Sequence, residues 1–154
     1  MFSQTAEYAL RAVAWLAQNP GQQPRHQIAE ATQVPVDYLA KVMRQLGQAG
    51  LVTAGRGLHG GFVLARGADD ISILDVINAV DPIRRIHACP LKLQSHRVTL
   101  CPLHRRLDEA LAHIEQAFRQ THLSDLTADP CDVRPLCEAK MIDTIGLAVA
   151  GVAS

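Results

Sequence analysis

Residues 36–64 read VDYLAKVMRQLGQAGLVTAGRGLHGGFVL, and this stretch decides the fold. In its first half the large apolar residues recur at intervals of three and four, and so share one helical face: Leu39, Val42, Met43 and Leu46. The other face is polar and partly basic: Asp37, Tyr38, Lys41, Arg44, Gln45 and Gln48. Gly50 follows where helices commonly end. The sequence therefore predicts an amphipathic helix over about 36–49.

The second half of the stretch predicts a hairpin. Residues 51–53 and 62–64 read as two short strands, and the loop over 54–61 contains four glycines together with Arg56 and His59. Glycines allow a hairpin tip to approach a phosphate backbone closely, and the negative potential of a minor groove would attract Arg56. We interpret the hairpin as a wing and His59 as a solvated loop residue.

Two further helices are predicted upstream, over about 5–18 and 26–32. A short turn separates the second of them from the 36–49 helix, and this arrangement is typical of proteins that place the second helix in a DNA major groove. The alternative is a protein-interaction module, which the basic residues Lys41, Arg44 and Arg56 disfavour. We therefore predict a winged helix-turn-helix DNA-binding domain over 1–80.

The remainder of the chain predicts a second helical element. Residues 72–80 form a short amphipathic helix that opens with a near capping box, Ser72 and Asp75. Residues 81–101 have no periodicity and are predicted to be a cysteine-bearing sensor loop, with a disordered link as the alternative. From Pro102 an apolar stripe predicts a dimerisation helix over 102–124, with an intrachain packing helix as the alternative, before a C-terminal extension over 125–154. The predicted class is mostly α.

Composition agrees with this class. The chain has 154 residues, of which 48% are hydrophobic and only 4% aromatic, so one compact helical domain with an appended element is expected. The formal net charge is zero, but residues 1–67 hold six basic against three acidic residues, a weak signal for nucleic acid. We expect a cytoplasmic protein because no secretory signal or membrane-length apolar run is present. Its four cysteines then need a role other than structural disulfides.

The order of elements resembles the IscR/NsrR-type winged-helix regulators of the Rrf-two family. These are dimeric bacterial transcription factors, many of which carry an iron–sulfur cluster. The resemblance covers nearly the whole chain and rests on five segments, at residues 7–10, 36–46, 50–52, 57–62 and 73–81.

Cluster-binding members of that family typically show the spacing C-x5-C-x5-C. Cys89 and Cys101 match the first and third positions, but Ser95 stands at the middle one, and a serine hydroxyl is a poor iron ligand beside a thiolate. In the run Cys101-Pro-Leu-His104, the histidine falls where one branch of the family has a ligand. Glu7 falls where another branch uses an acidic residue from the partner subunit.

The resemblance thus implies a [2Fe-2S] cluster as the cofactor, held by two cysteines, one histidine and one carboxylate: Cys89, Cys101, His104 and Glu7. His96, one position after Ser95, is an alternative candidate for the ligand at the middle position. Cys131 and Cys137 lie outside the segments that carry the resemblance. Joint metal ligation, a disulfide and no role are all open for these two cysteines.

These observations predict a homodimeric repressor that senses redox state, nitric oxide or iron–sulfur status and binds a palindromic DNA operator. The predicted DNA contacts are Gln4, Tyr8, Tyr38, Lys41, Arg44 and Arg56. One alternative is a cluster-free regulator that responds to a thiol switch, a small molecule or a partner. A small metal-dependent enzyme is disfavoured, because no acid–base pair or nucleophile accompanies the cysteines. We therefore expect no enzymatic activity.

Overall fold

The computed structural model describes residues 2–55, 57, 60–89 and 99–128. In chain order its elements are α1 (Gln4–Gln18), α2 (Arg25–Thr32), α3 (Val36–Gln48), β1 (Val52–Ala54), β2 (Phe62–Leu64), a 3-10 turn (Ala68–Asp70), α4 (Ile73–Val80), α5 (Pro102–Gln120) and α6 (Leu123–Ala128). This is a winged helix-turn-helix followed by a long helix, and the predicted mostly α class is confirmed. None of the described helices has the length and apolar character needed to cross a membrane.

The apolar faces of the first four helices form one core. Helix α1 contacts α2, α3, α4 and α6, and its small buried side chains, such as Ala9 and Ala12, allow these neighbours to approach closely. Helix α3 buries the four predicted residues, Leu39, Val42, Met43 and Leu46. Burial of each large aliphatic side chain contributes about 1.5–3 kcal/mol to folding. The core therefore fixes which face of α3 is turned toward solvent.

Local signals set the ends of the helices. The side chain of Ser3 caps α1 by accepting a hydrogen bond from the Ala6 amide at 3.2 Å. Ser72 and Asp75 form a complete capping box at α4, with reciprocal bonds of 3.1 and 3.0 Å. After α3 the backbone turns at Gly50, where φ is +69°, a conformation that favours glycine. The predicted boundaries of α1 to α4 are thereby confirmed to within one or two residues.

The wing is tied to the turn between α1 and α2. Strands β1 and β2 are antiparallel, with Val52 opposite Leu64 and Ala54 opposite Phe62. Gln23 pairs with Phe62 through two backbone hydrogen bonds of 2.9 Å. A Cβ atom at Gly61 would lie 2.6 Å from the carbonyl carbon of Gln23, so only glycine fits there. The root of the hairpin is therefore packed against the chain that leads into α2.

The predicted helix over 102–124 is shorter in the structure, and this boundary is corrected. Helix α5 ends at Gln120, and α6 starts at Leu123 after an extended residue at Thr121. The Thr121 carbonyl accepts a bond from Ile73 (2.9 Å), and the Leu123 amide donates to Ile71 (3.0 Å). Leu123 is fully buried. The helix ends here because these long-range backbone hydrogen bonds and the burial of Leu123 replace the hydrogen bonds and packing of a further helical turn.

Candidate nucleic-acid interface and cysteine site

The solvent-facing side of α3 carries basic side chains that have no polar partner among the described residues. Lys41 and Arg44 are exposed, and neither forms an ion pair or hydrogen bond with a described residue. The Lys41 ammonium lies 5.6 Å from the centre of the Tyr38 ring. Because no carboxylate of a described residue pairs with them, both side chains are available to phosphates or to base edges.

Three of the other predicted DNA contacts lie beside this face, where they bind one another. Gln4 Nε2 donates to the Tyr8 hydroxyl at 2.8 Å, and the Tyr8 and Tyr38 rings meet edge to face at 5.4 Å. The Tyr38 hydroxyl is 2.5 Å from Thr5 Oγ1, a contact that sequence reasoning missed. The start of α1 is thereby joined to α3. Arg56, the sixth predicted contact, lies outside the described residues.

The cysteine site contains one close pair. Cys101 is the N-cap residue of α5, and its Sγ lies 3.2 Å from Nδ1 of His104. Pro102 at the first helical position starts the helix as the sequence predicts, so that residues three apart face each other at its first turn. Cys89 is buried, with 6% of its surface exposed. It forms no disulfide with Cys101.

The four predicted cluster ligands are not gathered in one chain. Among the residues that the structure describes, no group of three or more Cys, His, Asp or Glu side chains is placed to hold a metal ion. Glu7 is exposed on α1 and ion-paired with Arg11, which also donates to the Thr32 carbonyl at 3.3 Å. The described part of a single chain therefore does not fit a complete iron–sulfur site. Ser95, His96, Cys131 and Cys137 lie outside the described residues.

Arg85, four residues before Cys89, binds the segment after α4 to α5. The sequence interpretation did not predict this contact. Arg85 forms a bidentate pair with Asp108, with N–O distances of 2.7 and 2.6 Å, and donates to Glu115 at 3.1 Å. The Ile86 amide donates to the same Asp108 carboxylate at 2.8 Å. Asp108 and Glu115 are seven residues apart, so they lie on one face of α5, two turns from each other. This spacing of two carboxylates is a local signal, whereas their partner Arg85 is distant in the sequence.

These bonds favour the charged form of the carboxylate. The Arg85 side chain, and next the Ile86 amide, lower the pKa of Asp108 to about 2. The same bonds raise the pKa of Arg85. Because the folded pKa of Asp108 is below its usual value, the contribution of this carboxylate to stability is complete above about pH 4. It is lost as the pH falls from about 4 through 2.

We expect Arg85→Gln to reduce stability at neutral pH and to weaken its dependence on pH between 4 and 2. The reason is that Asp108 would titrate closer to its usual value in the folded variant. Urea unfolding at pH 7, 4 and 3 measures this, with Arg84→Gln as the matched control because Arg84 is exposed and has no described polar partner. If the free energy of unfolding depends on acidic pH equally in Arg85→Gln and in the unmodified protein, the Arg85–Asp108 pair does not act as described.

Comparisons with known proteins agree with this architecture. The family model Rrf2, described as an iron-dependent transcriptional regulator, matches residues 2–129. An HTH-type transcriptional regulator of Aquifex aeolicus is 34% identical over 130 residues, which cover 82% of this chain and 90% of the relative. The regulator NsrR of Shouchella clausii is 29% identical over 143 residues, covering 87% and 93% of the two chains.

Solved structures show the same fold. CymR of B. subtilis, described as the global cysteine regulator of that organism, has a TM-score of 0.68 at 24% identity, covering 82% of this chain and 95% of CymR. IscR of T. potens has a TM-score of 0.66 at 26% identity, covering 81% of this chain and 84% of IscR. The matched length and the winged-helix architecture lead to one assignment: the chain belongs to the Rrf2 family of transcriptional regulators.

Proposed function

We propose that the protein is a homodimeric repressor that binds a palindromic DNA operator through α3 and the wing. The observation that carries this proposal is the exposed face of α3, where Lys41 and Arg44 have no polar partner in the described part of the chain. The buried face of the same helix fixes this orientation. A rigid helix with free donors is suited to reading base edges in a major groove.

The features of α5 support the dimer. It is 19 residues long, none of its residues is buried, and Leu103 and Leu107 are 64% and 48% exposed. Exposed leucines at four-residue spacing on one helix face favour packing against another helix. A two-fold dimer would present two α3 helices to half-sites about 34 Å apart, or a multiple of this distance.

Selection from a pool of random DNA duplexes tests the proposed function. The purified protein should enrich an inverted repeat whose half-sites are separated by about one helical turn or a multiple of it. Enrichment of no sequence, or of a single half-site without symmetry, would contradict a palindrome-reading dimer. A reporter gene placed behind the enriched sequence should be less active when the protein is present.

We infer that the signal acts at Cys101 and His104, together with Cys89. The supporting observation is the 3.2 Å contact between Cys101 Sγ and His104 Nδ1, because thiolate and imidazole are both ligands for iron and other transition metals. A [2Fe-2S] cluster would supply sensitivity to redox state, nitric oxide or iron supply. It would need ligands beyond those gathered in one chain, and Glu7 of a second subunit is the proposed source.

The cluster and thiol mechanisms differ in a simple observable. With a cluster, anaerobically purified protein is coloured and contains iron and acid-labile sulfide. With a thiol switch, the protein is colourless, and oxidation joins Cys89 to Cys101 with the loss of two electrons and two protons to an added oxidant such as diamide. Absorbance, iron and sulfide analysis, and thiol titration of the same sample decide between them.

A further inference from the structure

We propose that Arg25 and the glycine-lined cleft at the root of the wing bind a phosphate of the DNA backbone. This assignment rests on the proposed function and extends it, because Arg25 is on α2 and outside the predicted contact set. It would add a third point of attachment to DNA, beside the α3 face and the wing tip.

The residues that line the cleft are suited to binding a phosphodiester group of a DNA chain. The cleft is shallow and widely open to solvent, with a volume of about 310 Å³. Its lining combines the Arg25 side chain with Ala54, Phe62 and four glycines, Gly55, Gly57, Gly60 and Gly61. Among the described residues of this lining, none is acidic. Because glycine has no side chain, a phosphodiester can approach the hairpin backbone closely.

Arg25 is available for such a contact. It is exposed, and within the described ranges it forms no hydrogen bond, ion pair or ring contact. Arg66, which follows the other end of the hairpin, differs because it donates to the Asp70 carbonyl at 3.3 Å. A guanidinium without an internal partner retains all of its donors for a phosphate.

The backbone holds Arg25 at a fixed place beside the wing. Gln23, two residues earlier, is bonded to Phe62 in both directions at 2.9 Å. The close approach of Gly61 to Gln23 leaves no room for a side chain between them. Helix α2 is in turn anchored to the core by Ile28 and Ala29. The backbone that carries Arg25 is therefore held beside the hairpin root, so DNA binding need order only the Arg25 side chain and not the segment that presents it.

The test measures how DNA affinity depends on salt. Each phosphate contact that a protein makes with duplex DNA contributes about 0.9 to the slope of log affinity against log salt. We expect Arg25→Ala to weaken binding several-fold, equally on the selected operator and on a random duplex, and to reduce the slope by about 1. Arg25→Lys should restore the slope. Arg66→Ala, which removes the same charge near the wing, should leave it unchanged.

Fluorescence anisotropy at four salt concentrations gives both the slope and the affinity. An unchanged slope in Arg25→Ala, or an equal decrease in Arg66→Ala, would overturn the assignment. A loss confined to the operator would also overturn it, because Arg25 would then read a base. If the unmodified protein binds no duplex at all, the proposed function fails first, which is a distinct outcome.

Discussion

Simultaneous replacement of Lys41 and Arg44 by alanine is expected to reduce operator affinity by a factor on the order of 100. A bidentate contact between an arginine and a base contributes about 1–3 kcal/mol, and a lysine near a phosphate adds a smaller, salt-dependent part. Both side chains are exposed, so the free energy of unfolding of the variant should lie within about 0.5 kcal/mol of that of the unmodified protein. Anisotropy titrations with the selected operator and with a random duplex measure the effect.

The single variants separate the roles of these two residues. Arg44→Ala should lose more affinity for the operator than for random DNA, whereas Lys41→Ala should weaken both similarly. Arg119→Ala is the matched control, because Arg119 is exposed near the end of α5 and has no described polar partner. Retention of full operator affinity in the double variant would show that α3 is not the recognition helix.

The second large effect is expected at Cys101. Cys101→Ser should abolish the difference in operator affinity between anaerobic and oxidised protein, because the sulfur is required both for a cluster and for a disulfide. In the cluster mechanism the same variant should also lose the visible absorbance and the bound iron. Electrophoretic mobility shifts under controlled redox conditions, with iron analysis, give both results.

His104 distinguishes the two mechanisms. His104→Ala should remove bound iron if the imidazole is a ligand, and should leave a disulfide switch intact. His113→Ala is the control, since His113 is exposed on the same helix and forms no polar contact in the described part of the chain. If Cys101→Ser responds to oxidation as the unmodified protein does, the signal does not act at this site.

Much of the fold could be predicted because its signals are local. The apolar spacing of α3, the capping box at Ser72 and the proline that opens α5 each depend on residues within one or two helical turns. Such patterns report which face of a helix will be buried and where the helix begins. The adjacency of Cys101 and His104 belongs to the same class, because residues three apart meet at the first turn of a helix.

The contacts that escaped prediction are distant in the sequence. Arg85 reaches Asp108 across 23 positions, and the Tyr38 hydroxyl meets Thr5 across 33. The break between α5 and α6 likewise depends on backbone bonds to Ile71 and Ile73. No periodicity within one segment encodes such pairings, since they arise only when the core brings the segments together. For the same reason, spacing alone could not show whether Glu7 lies near the cysteines.

The central claim is sequence-specific DNA binding, and the most direct test is a ratio of affinities at one salt concentration. The selected inverted repeat and a scrambled duplex of equal length and composition are titrated with the same anaerobic preparation. We predict that the inverted repeat binds more tightly by a factor of at least about 1,000, the lower end of what specific DNA-binding proteins show. Equal affinity for the two duplexes would contradict the account.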